Sequence, residues 1–150
     1  MNLEARIARL EALEDIRRLK HRYLNACDLK EVEVIRDCFA AGEILIDYGP
    51  IGTFRERDSF VAVYRELACQ PRVIDLHHGA NPEIDLLGDD EAVGRWALCY
   101  CNLDAETGAT RKLGGFYQDR YRRVDGQWRI VATAFRGHFE TSGASLAHTR

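Results

Sequence analysis

The sequence predicts an α+β fold in which N-terminal helices pack against a curved, cone-shaped antiparallel sheet. Two features carry this prediction. Apolar residues recur at helical spacing up to Pro71, and long alternating β-type segments fill the chain from Arg72 onward. The pair Asp125-Gly126, between two such segments, strongly favours a tight hairpin. Helices followed by an antiparallel meander are typical of an α+β domain, and strands of this length are expected to bend and leave a cavity beneath the helices.

The N-terminal half contains three predicted helices. The first covers about residues 3–24 and is amphipathic, with glutamate and arginine on its polar face. The second is predicted over residues 28–39. The third covers residues 59–68, with Asp58 or Ser59 as its N-cap. The apolar positions of the first helix are Leu3, Ile7, Leu10, Leu13, Ile16 and either Leu19 or Lys20.

Strands are predicted before and after the third helix. Residues 43–48 alternate and end at a Gly-Pro pair, as expected of a short strand closed by a turn. No internal repeat, linker or low-complexity tract divides the chain. We therefore expect one domain over residues 1–150, with its core at about 3–140 and a flexible tail at 141–150. The four long β-type segments cover residues 72–87, 92–103, 111–124 and 127–139.

Length and composition exclude several functional classes. The 150 residues carry 21 Lys and Arg against 24 Asp and Glu, so the net charge of −3 provides no basic field for nucleic acid or an anionic membrane. The N-terminus lacks the apolar region of a signal peptide, and no apolar run approaches the length of a membrane span. We expect a cytoplasmic protein that binds neither nucleic acid nor membrane.

The five cysteines do not form a recognisable metal site. Cys99 and Cys101 are two residues apart, which on a strand places them on one face, too close together for a tetrahedral site of the CxxC type. A site made of His77, His78 and Asp75 is disfavoured because strand alternation separates the two histidines. We therefore expect no metal, and thiols that are reduced and mostly buried.

Asp28 has both a structural and a catalytic interpretation. With Glu31 three residues on, and with Cys27 and Val32 as a hydrophobic staple, it fits a capping box at the start of the second helix. It could also face the cavity from the corner between two helices. Tyr23 would lie about 140° away from Asp28 on a continuous helix, so the two converge only if the helix breaks between them. Otherwise Tyr23 is a core aromatic.

His77 and His78 are adjacent on a predicted strand, so one points into the concave face and the other away from it. An inward histidine on an apolar, β-branched strand is ordinarily a hydrogen-bonded core residue. It becomes a candidate base where a carboxylate holds its Nδ1, because that contact fixes the tautomer and raises the basicity of the ring. Asp28 could supply this carboxylate, and so could Asp75 on the same face of the strand as His77.

The last two long strands leave two questions open. Simple alternation puts Trp128, Ile130 and Arg136 on one face of the last strand. Thr133 and Phe135 fall on its opposite face, and periodicity does not say which face lines the cavity. A Gly-Gly pair near the head of the preceding strand is expected to mark a bulge or a close backbone approach.

Several motifs follow one another in a recognisable order: a long helix, Y-x4-D, a capped helix, I-D-L-H-H-G-A-N-P-E-I, G-R-W, G-G-F-Y-Q-D-R-Y and D-G-Q-W-R-I. This order resembles the SnoaL-like family, which belongs to the nuclear transport factor 2 superfamily of cone-shaped α+β folds. The resemblance covers about residues 10–139. Within the family it is most similar to the bile acid 7α-dehydratases, and more distantly similar to scytalone dehydratase and hexachlorocyclohexane dehydrochlorinase.

The resemblance implies a cofactor-independent lyase or isomerase of the dehydratase type. In that family an Asp–His dyad acts as the base with a tyrosine beside it, and by position these residues are Asp28, His77 and Tyr23. The substrate would be a hydrophobic carbonyl or alcohol, such as a steroid, a polyketide or an aromatic compound, and its elimination would need neither metal nor organic cofactor. A homo-oligomer, trimer or dimer, is also implied. The candidate substrate-binding residues are Asn81, Trp96, Thr133 and Phe135.

The chain departs from the family pattern at one position, and two alternative functions stay open. The family often places an arginine in the cavity from the last strand, on the face of Thr133 and Phe135. Here Arg136 lies one residue out of that register and is expected to point outward, toward a subunit interface, unless a bulge restores the register. A non-catalytic small-molecule-binding or scaffolding domain is the first alternative, because the fold is widely reused with only its cavity in common. A hydrolase of the limonene epoxide type is the second, and the sequence offers no evident match to its Asp–Arg–Asp constellation.

Overall fold

The described part of the chain, residues 1–143 of a computed structural model, forms three α-helices packed against one curved, unclosed sheet of six strands. This architecture confirms the predicted α+β class. The helices are α1 (Leu3–Leu29), α2 (Val32–Cys38) and α3 (Arg57–Ala68). The strands are β1 (Leu45–Asp47), β2 (Thr53–Phe54), β3 (Val73–Leu86), β4 (Glu91–Asp104), β5 (Thr110–Val124) and β6 (Gln127–Gly143), in the sheet order β2-β1-β6-β5-β4-β3.

The predicted antiparallel meander is formed by β3 to β6, and β1 adds a parallel neighbour to it. Directly after α2, Phe39 forms a parallel bridge with Ile130 of β6. The chain then continues in the same direction, so β1 also pairs with β6 in parallel. The turn between β5 and β6 has positive φ at both Asp125 (51°) and Gly126 (78°). This is the type I′ geometry that such a pair favours, so the predicted hairpin is confirmed.

Helix α1 continues to Leu29, so the break considered between Tyr23 and Asp28 does not occur. Lys30 ends the helix in a left-handed conformation (φ 59°), with its N–H bonded to the carbonyl of Ala26. Asp28 therefore lies in the last turn of α1 and does not begin a second helix. Tyr23 and Asp28, between which a helix break was considered, are therefore both carried by the same helix.

The caps of the other two helices also differ from the expectation. Glu31 is the N-cap of α2 and makes no side-chain capping bond, so the predicted capping box is not formed. Helix α3 begins at Arg57, two residues earlier than expected, without a side-chain cap. Asp58 accepts a hydrogen bond from Arg36 at 2.6 Å instead. For Asp58, this tertiary partner outweighs the local preference of aspartate for a capping position.

A bulge at Val131 decides which residues of β6 face the helices. The pairing with β5 shifts register around this residue, which reverses the alternation of the strand. Ile130 and Thr133 consequently face the interior together and are 0% and 2% exposed. Trp128 lies on the same face of β6 as Ile130, and Phe135 lies on the same face as Thr133. The expectation that these two pairs lie on opposite faces is wrong, because a two-residue period cannot reveal an extra residue.

Arg136 points to the outer face, as expected, where its guanidinium pairs with Asp47 at 2.6 Å. A second register shift adjoins it, between Gly114 and Gly115 on β5. A Cβ at Gly115 would overlap the backbone oxygen of Arg136 and the ring of Phe135. The Gly-Gly pair therefore marks a bulge and a close backbone approach, which confirms that expectation.

The C-terminal end of the sheet is longer than predicted. Strand β6 continues to Gly143, so the first residues of the expected tail are strand. The rest of that tail, residues 144–150, lies outside the described residues. Across residues 1–143, no helix combines the length and the apolar composition that crossing a bilayer requires.

The cysteines divide between the interior and the surface. Cys27 and Cys38 are buried and Cys69 is partly buried, whereas Cys99 and Cys101 are exposed. The expectation of mostly buried thiols is therefore wrong for the last two, because alternation along β4 turns both to the outer face of the sheet.

Candidate active site

A cavity of about 440 Å³ opens between the helices and the concave face of the sheet. Its α3 wall is apolar and includes Phe60, Val63 and Leu67. Its sheet wall is more polar and includes His77 and Arg111. Five of the six tyrosines of the chain line it as well. These are Tyr23, Tyr48, Tyr64, Tyr100 and Tyr117.

The last turn of α1 lies beside β3 and brings Asp28 to His77. Asp28 Oδ1 lies 2.5 Å from His77 Nδ1, and Asp28 Oδ2 accepts the backbone N–H of His77 at 2.9 Å. Because a carboxylate can only accept hydrogen bonds, the proton of this contact belongs to Nδ1. The lone pair of the neutral ring is then on Nε2, and His77 lines the cavity. The arrangement can take up a proton from a bound molecule.

Asp75, the alternative carboxylate for His77, has other partners. It accepts hydrogen bonds from the Tyr100 hydroxyl at 2.5 Å and from Asn102 Nδ2 at 2.8 Å, and it forms an ion pair with Lys30. Burial alone would raise the pKa of the Asp75 carboxyl, but these three donors together hold it below its usual value. Asp75 is therefore engaged by three other donors, and Asp28 is the carboxylate that orients His77.

Tyr23 reaches the cavity from a different side of α1 than Asp28. Its hydroxyl lies 2.6 Å from the Tyr48 hydroxyl, and the Tyr23 side chain is buried. Burial raises the pKa of both phenols well above the ordinary tyrosine value, so both stay neutral at physiological pH. Tyr23 and Asp28 do not contact each other. Asp28 contacts His77, and Tyr23 lines the cavity.

A buried ion pair lies behind this wall. Lys20 Nζ is 2.7 Å from Asp119 Oδ2, and both side chains are completely buried. The same ammonium lies 3.5 Å from the centre of the Tyr117 ring. Burial lowers the pKa of Lys20, and the charge and hydrogen bond of Asp119 oppose that shift. Asp119 also accepts hydrogen bonds from Thr133 at 2.6 Å and from Tyr121 at 2.7 Å.

The sequence pattern that carries this geometry is that of a known family. A model of the SnoaL-like domain matches residues 8–134, most of the chain. The chain belongs to the SnoaL-like family. No statement about its substrate follows from that membership, because the match concerns the domain.

Several solved structures overlay most of the chain. A scytalone dehydratase-like protein from Novosphingobium aromaticivorans is 23% identical, with a TM-score of 0.82 over 95% of this chain and 97% of that one. A hexachlorocyclohexane dehydrochlorinase from Novosphingobium barchaimii is 18% identical, with a TM-score of 0.82 over 96% of this chain and 98% of that one. A Mycobacterium tuberculosis protein of unknown function is 23% identical, with a TM-score of 0.73 over 87% and 73%. At these identities the likeness shows a shared fold.

Of the four residues expected to bind substrate in this SnoaL-like domain, Phe135 lines the cavity and three do not. Thr133 is engaged in the buried network just described. Trp96 is fully buried in the core, where its indole N–H donates to the Tyr121 hydroxyl at 3.0 Å. Asn81 is exposed at a register shift of β3, with φ 52°. The expectations for Thr133, Trp96 and Asn81 are therefore wrong, because core packing and a bulge turn them away from the cavity.

Sequence reasoning did not single out three residues of the SnoaL-like site. Tyr48 ends the alternating segment of residues 43–48, one residue after β1, and only the fold brings it to Tyr23. Lys20 was named only as an alternative to Leu19 among the apolar positions of α1, where both side chains are buried. Asp119 lies on the same face of β5 as the two buried tyrosines that stand two residues before and after it. Within residues 1–143, no three His, Cys, Asp or Glu side chains cluster at metal-binding spacing.

Proposed function

We propose that this SnoaL-like domain is a cofactor-independent lyase or isomerase of the dehydratase type. It would remove a carbon-bound proton from a hydrophobic carbonyl or alcohol. The observation that carries the proposal is the contact of Asp28 with both the backbone N–H and Nδ1 of His77. This contact supports Nε2 as the basic atom on the cavity side, with no further partner among the described residues.

In the proposed elimination, His77 Nε2 takes the proton from the carbon next to a carbonyl group. The electron pair of that C–H bond forms the new double bond as the C–O bond to the leaving hydroxyl breaks. The imidazolium then gives its proton to the departing hydroxide, which leaves as water. In an isomerisation the same proton returns to another carbon. Asp28 stabilises the transient imidazolium and holds the ring in place.

Tyr23 and Tyr48 are proposed to support the developing negative charge. Two phenols joined by one hydrogen bond have two O–H groups, and the bond between them uses one. The other O–H, which also has the Cys27 thiol or the Thr133 hydroxyl nearby, would turn to a substrate oxygen when one is bound. Because both pKa values are raised by burial, the pair donates a hydrogen bond and keeps its protons. A preorganised donor of this kind stabilises an oxyanion more strongly in a dry cavity than in water.

The cavity supports a ring compound as the substrate. Aromatic and aliphatic side chains dominate the lining, and about 440 Å³ accommodates a fused-ring molecule. A steroid, a polyketide or an aromatic compound would fit this description. The names of two similar structures, a scytalone dehydratase-like protein and a dehydrochlorinase, both denote eliminations and support this reaction class here.

The proposal is tested with ring-bearing β-hydroxy ketones incubated in deuterium oxide. NMR follows the entry of deuterium next to the carbonyl and the formation of the alkene. We expect the wild type to exchange and eliminate, His77→Gln to do neither, and Asp28→Asn to be slower by about 100-fold or more. The control is His78→Gln, an exposed neighbour on the other face of β3. Binding without exchange in the wild type would instead favour the non-catalytic binding domain.

We also propose that the protein is a homo-oligomer, a trimer or a dimer, assembled through the outer face of its sheet. Four large apolar side chains there are between 44% and 50% exposed, and a neighbouring copy would cover them. Light scattering after size exclusion measures the mass directly. A glutamate in place of Leu76 should dissociate the assembly, and a monomeric wild type would contradict the proposal. The four side chains are Ile74, Leu76, Phe116 and Phe139.

A further inference from the structure

We propose that Arg111 forms an anion-binding subsite at one end of the cavity, and that the substrate is a ring compound carrying a carboxylate. The inference rests on the proposed function only in taking this cavity as the substrate site. It adds a chemical class that neither the fold nor the reaction type implies.

Arg111 lies within reach of a molecule that contacts His77. In the sheet, His77 is paired with Tyr100, while Arg111 is paired with Asn102, two residues further along the same face of β4. The Tyr100 ring stands between them, with its centre 4.6 Å from the His77 ring and 5.7 Å from the Arg111 guanidinium carbon. Two strand spacings, about 10 Å, separate β3 from β5. One ligand of one or two fused rings spans that distance.

Arg111 is the one permanently cationic side chain among the described residues that line the cavity. Asp75 is the one carboxylate among the described residues of the same lining, and its charge is already paired with Lys30 while two neutral donors bind its other oxygen. Asp75 and Arg111 do not form an ion pair with each other within the described residues. The charge of Arg111 is therefore not cancelled inside the cavity.

The partner that Arg111 does have is weak. Its Nε lies 3.4 Å from Glu140 Oε1, and the two side chains are 46% and 50% exposed. A long, solvent-exposed ion pair contributes little and exchanges readily with water or ligand. The terminal nitrogens of Arg111 have no other carboxylate within ion-pair distance in residues 1–143. A guanidinium offers these nitrogens as a planar fork that matches the two oxygens of a carboxylate.

The remaining lining fits the body of such a ligand. Phe60, Val63 and Leu67 of α3 form the apolar wall opposite the sheet. Rings packed against this wall would place one end at His77 and the other at Arg111. An acidic group at the Arg111 end also orients the molecule, because the apolar wall alone would accept it in either direction.

The test compares 2-naphthoate with 2-naphthalenemethanol, two ligands of the same ring system, by isothermal titration calorimetry on the full chain. The wild type should bind the acid about tenfold more tightly than the alcohol, the effect of one charge-assisted contact. Arg111→Gln should remove this preference and leave alcohol binding unchanged. Arg136→Gln, which removes an arginine from the outer face, should keep it. Glu140→Gln should strengthen acid binding because it removes the competing carboxylate.

Equal binding of the two ligands by the wild type, no binding of the acid, or an undiminished acid preference in Arg111→Gln would each overturn the subsite. Failure of the proposed reaction is measured separately. His77→Gln should lose turnover while it keeps the acid preference. A wild type that shows no turnover but still prefers the acid through Arg111 would refute the reaction and leave the subsite standing.

Discussion

Asp28 Oδ1 lies 2.5 Å from His77 Nδ1, and the same carboxylate accepts the His77 backbone N–H. The two residues are 49 positions apart in the chain. Asp28 thus fixes the ring of His77 and the strand that carries it in a single contact. A substitution at position 28 changes both, and the two effects can be separated by choosing the replacement.

Asparagine at position 28 should change the tautomer of His77 with little loss of stability. Its amide oxygen can still accept the backbone N–H, but its NH₂ group removes the preference for a proton on Nδ1. We expect nitrogen-15 NMR of the imidazole to show mainly the Nδ1–H form in the wild type and a mixture in Asp28→Asn. Alanine also leaves the backbone N–H unpaired and should lower the free energy of unfolding in urea by about 1–3 kcal/mol. An unchanged ring spectrum in Asp28→Asn would contradict the orienting role.

Alkaline pH should unfold the protein and ionise its tyrosines together. Burial raises the pKa of all six phenols. Above about pH 10 the unfolded chain releases these protons while the folded chain retains them, so stability is present below that pH and falls as pH rises. Absorbance of phenolate near 295 nm should therefore stay low past pH 10 and then rise with the loss of circular dichroism. The chain in urea is the control and should titrate near pH 10; gradual phenolate formation in the folded protein would be the opposite result.

Breaking the buried pair of Lys20 and Asp119 should be strongly destabilising. Either Lys20→Met or Asp119→Asn leaves one partner buried without its counter-charge, which costs about 3–5 kcal/mol. The double variant should lose less than the sum of the single losses, because no uncompensated charge remains. Urea unfolding measures all three. Arg36→Gln, which breaks an exposed ion pair with Asp58, is the matched control and should have little effect. Additive losses in the double variant would show that the pair does not act as a unit.

An alanine at Gly115 should distort both the sheet and the cavity. Its Cβ would overlap the backbone oxygen of Arg136 and the ring of Phe135, which lines the cavity. We expect a loss of roughly 1–3 kcal/mol in urea unfolding and weaker binding of 2-naphthalenemethanol. Gly88→Ala is the control, since nothing lies within 4 Å of the position its Cβ would take. Equal stability of the two variants would mean that both the backbone at Arg136 and the Phe135 ring move aside freely.

The strand half of the fold could be predicted from the sequence because its signals are local. The period of two and the Asp125-Gly126 turn define β3 to β6 within a few residues. The bulge at Val131 could not be predicted in this way. It depends on how β6 packs against β5, and it reverses which side chains reach the interior.

The helical half was harder to predict because long-range contacts override local preferences. The pattern around Asp28 is that of a helix cap, yet the bonds to His77 hold that carboxylate in the last turn of α1. Lys20 carries a charged side chain, which favours an exposed position, yet the ion pair with Asp119 on β5 offsets the cost of burying it. The partners of both residues lie on strands far along the chain, and no local pattern refers to them.

The unbroken course of α1 limits how this domain can change its length. Lys20, Tyr23 and Asp28 project from one rigid helix toward three different partners. One residue inserted between Tyr23 and Asp28 would rotate everything after it by about 100° and turn Asp28 away from β3. A substitution here removes one contact at a time, whereas an insertion or a deletion puts the contacts on its two sides out of register with each other. Insertions and deletions are expected to be tolerated instead in the exposed turn between β4 and β5.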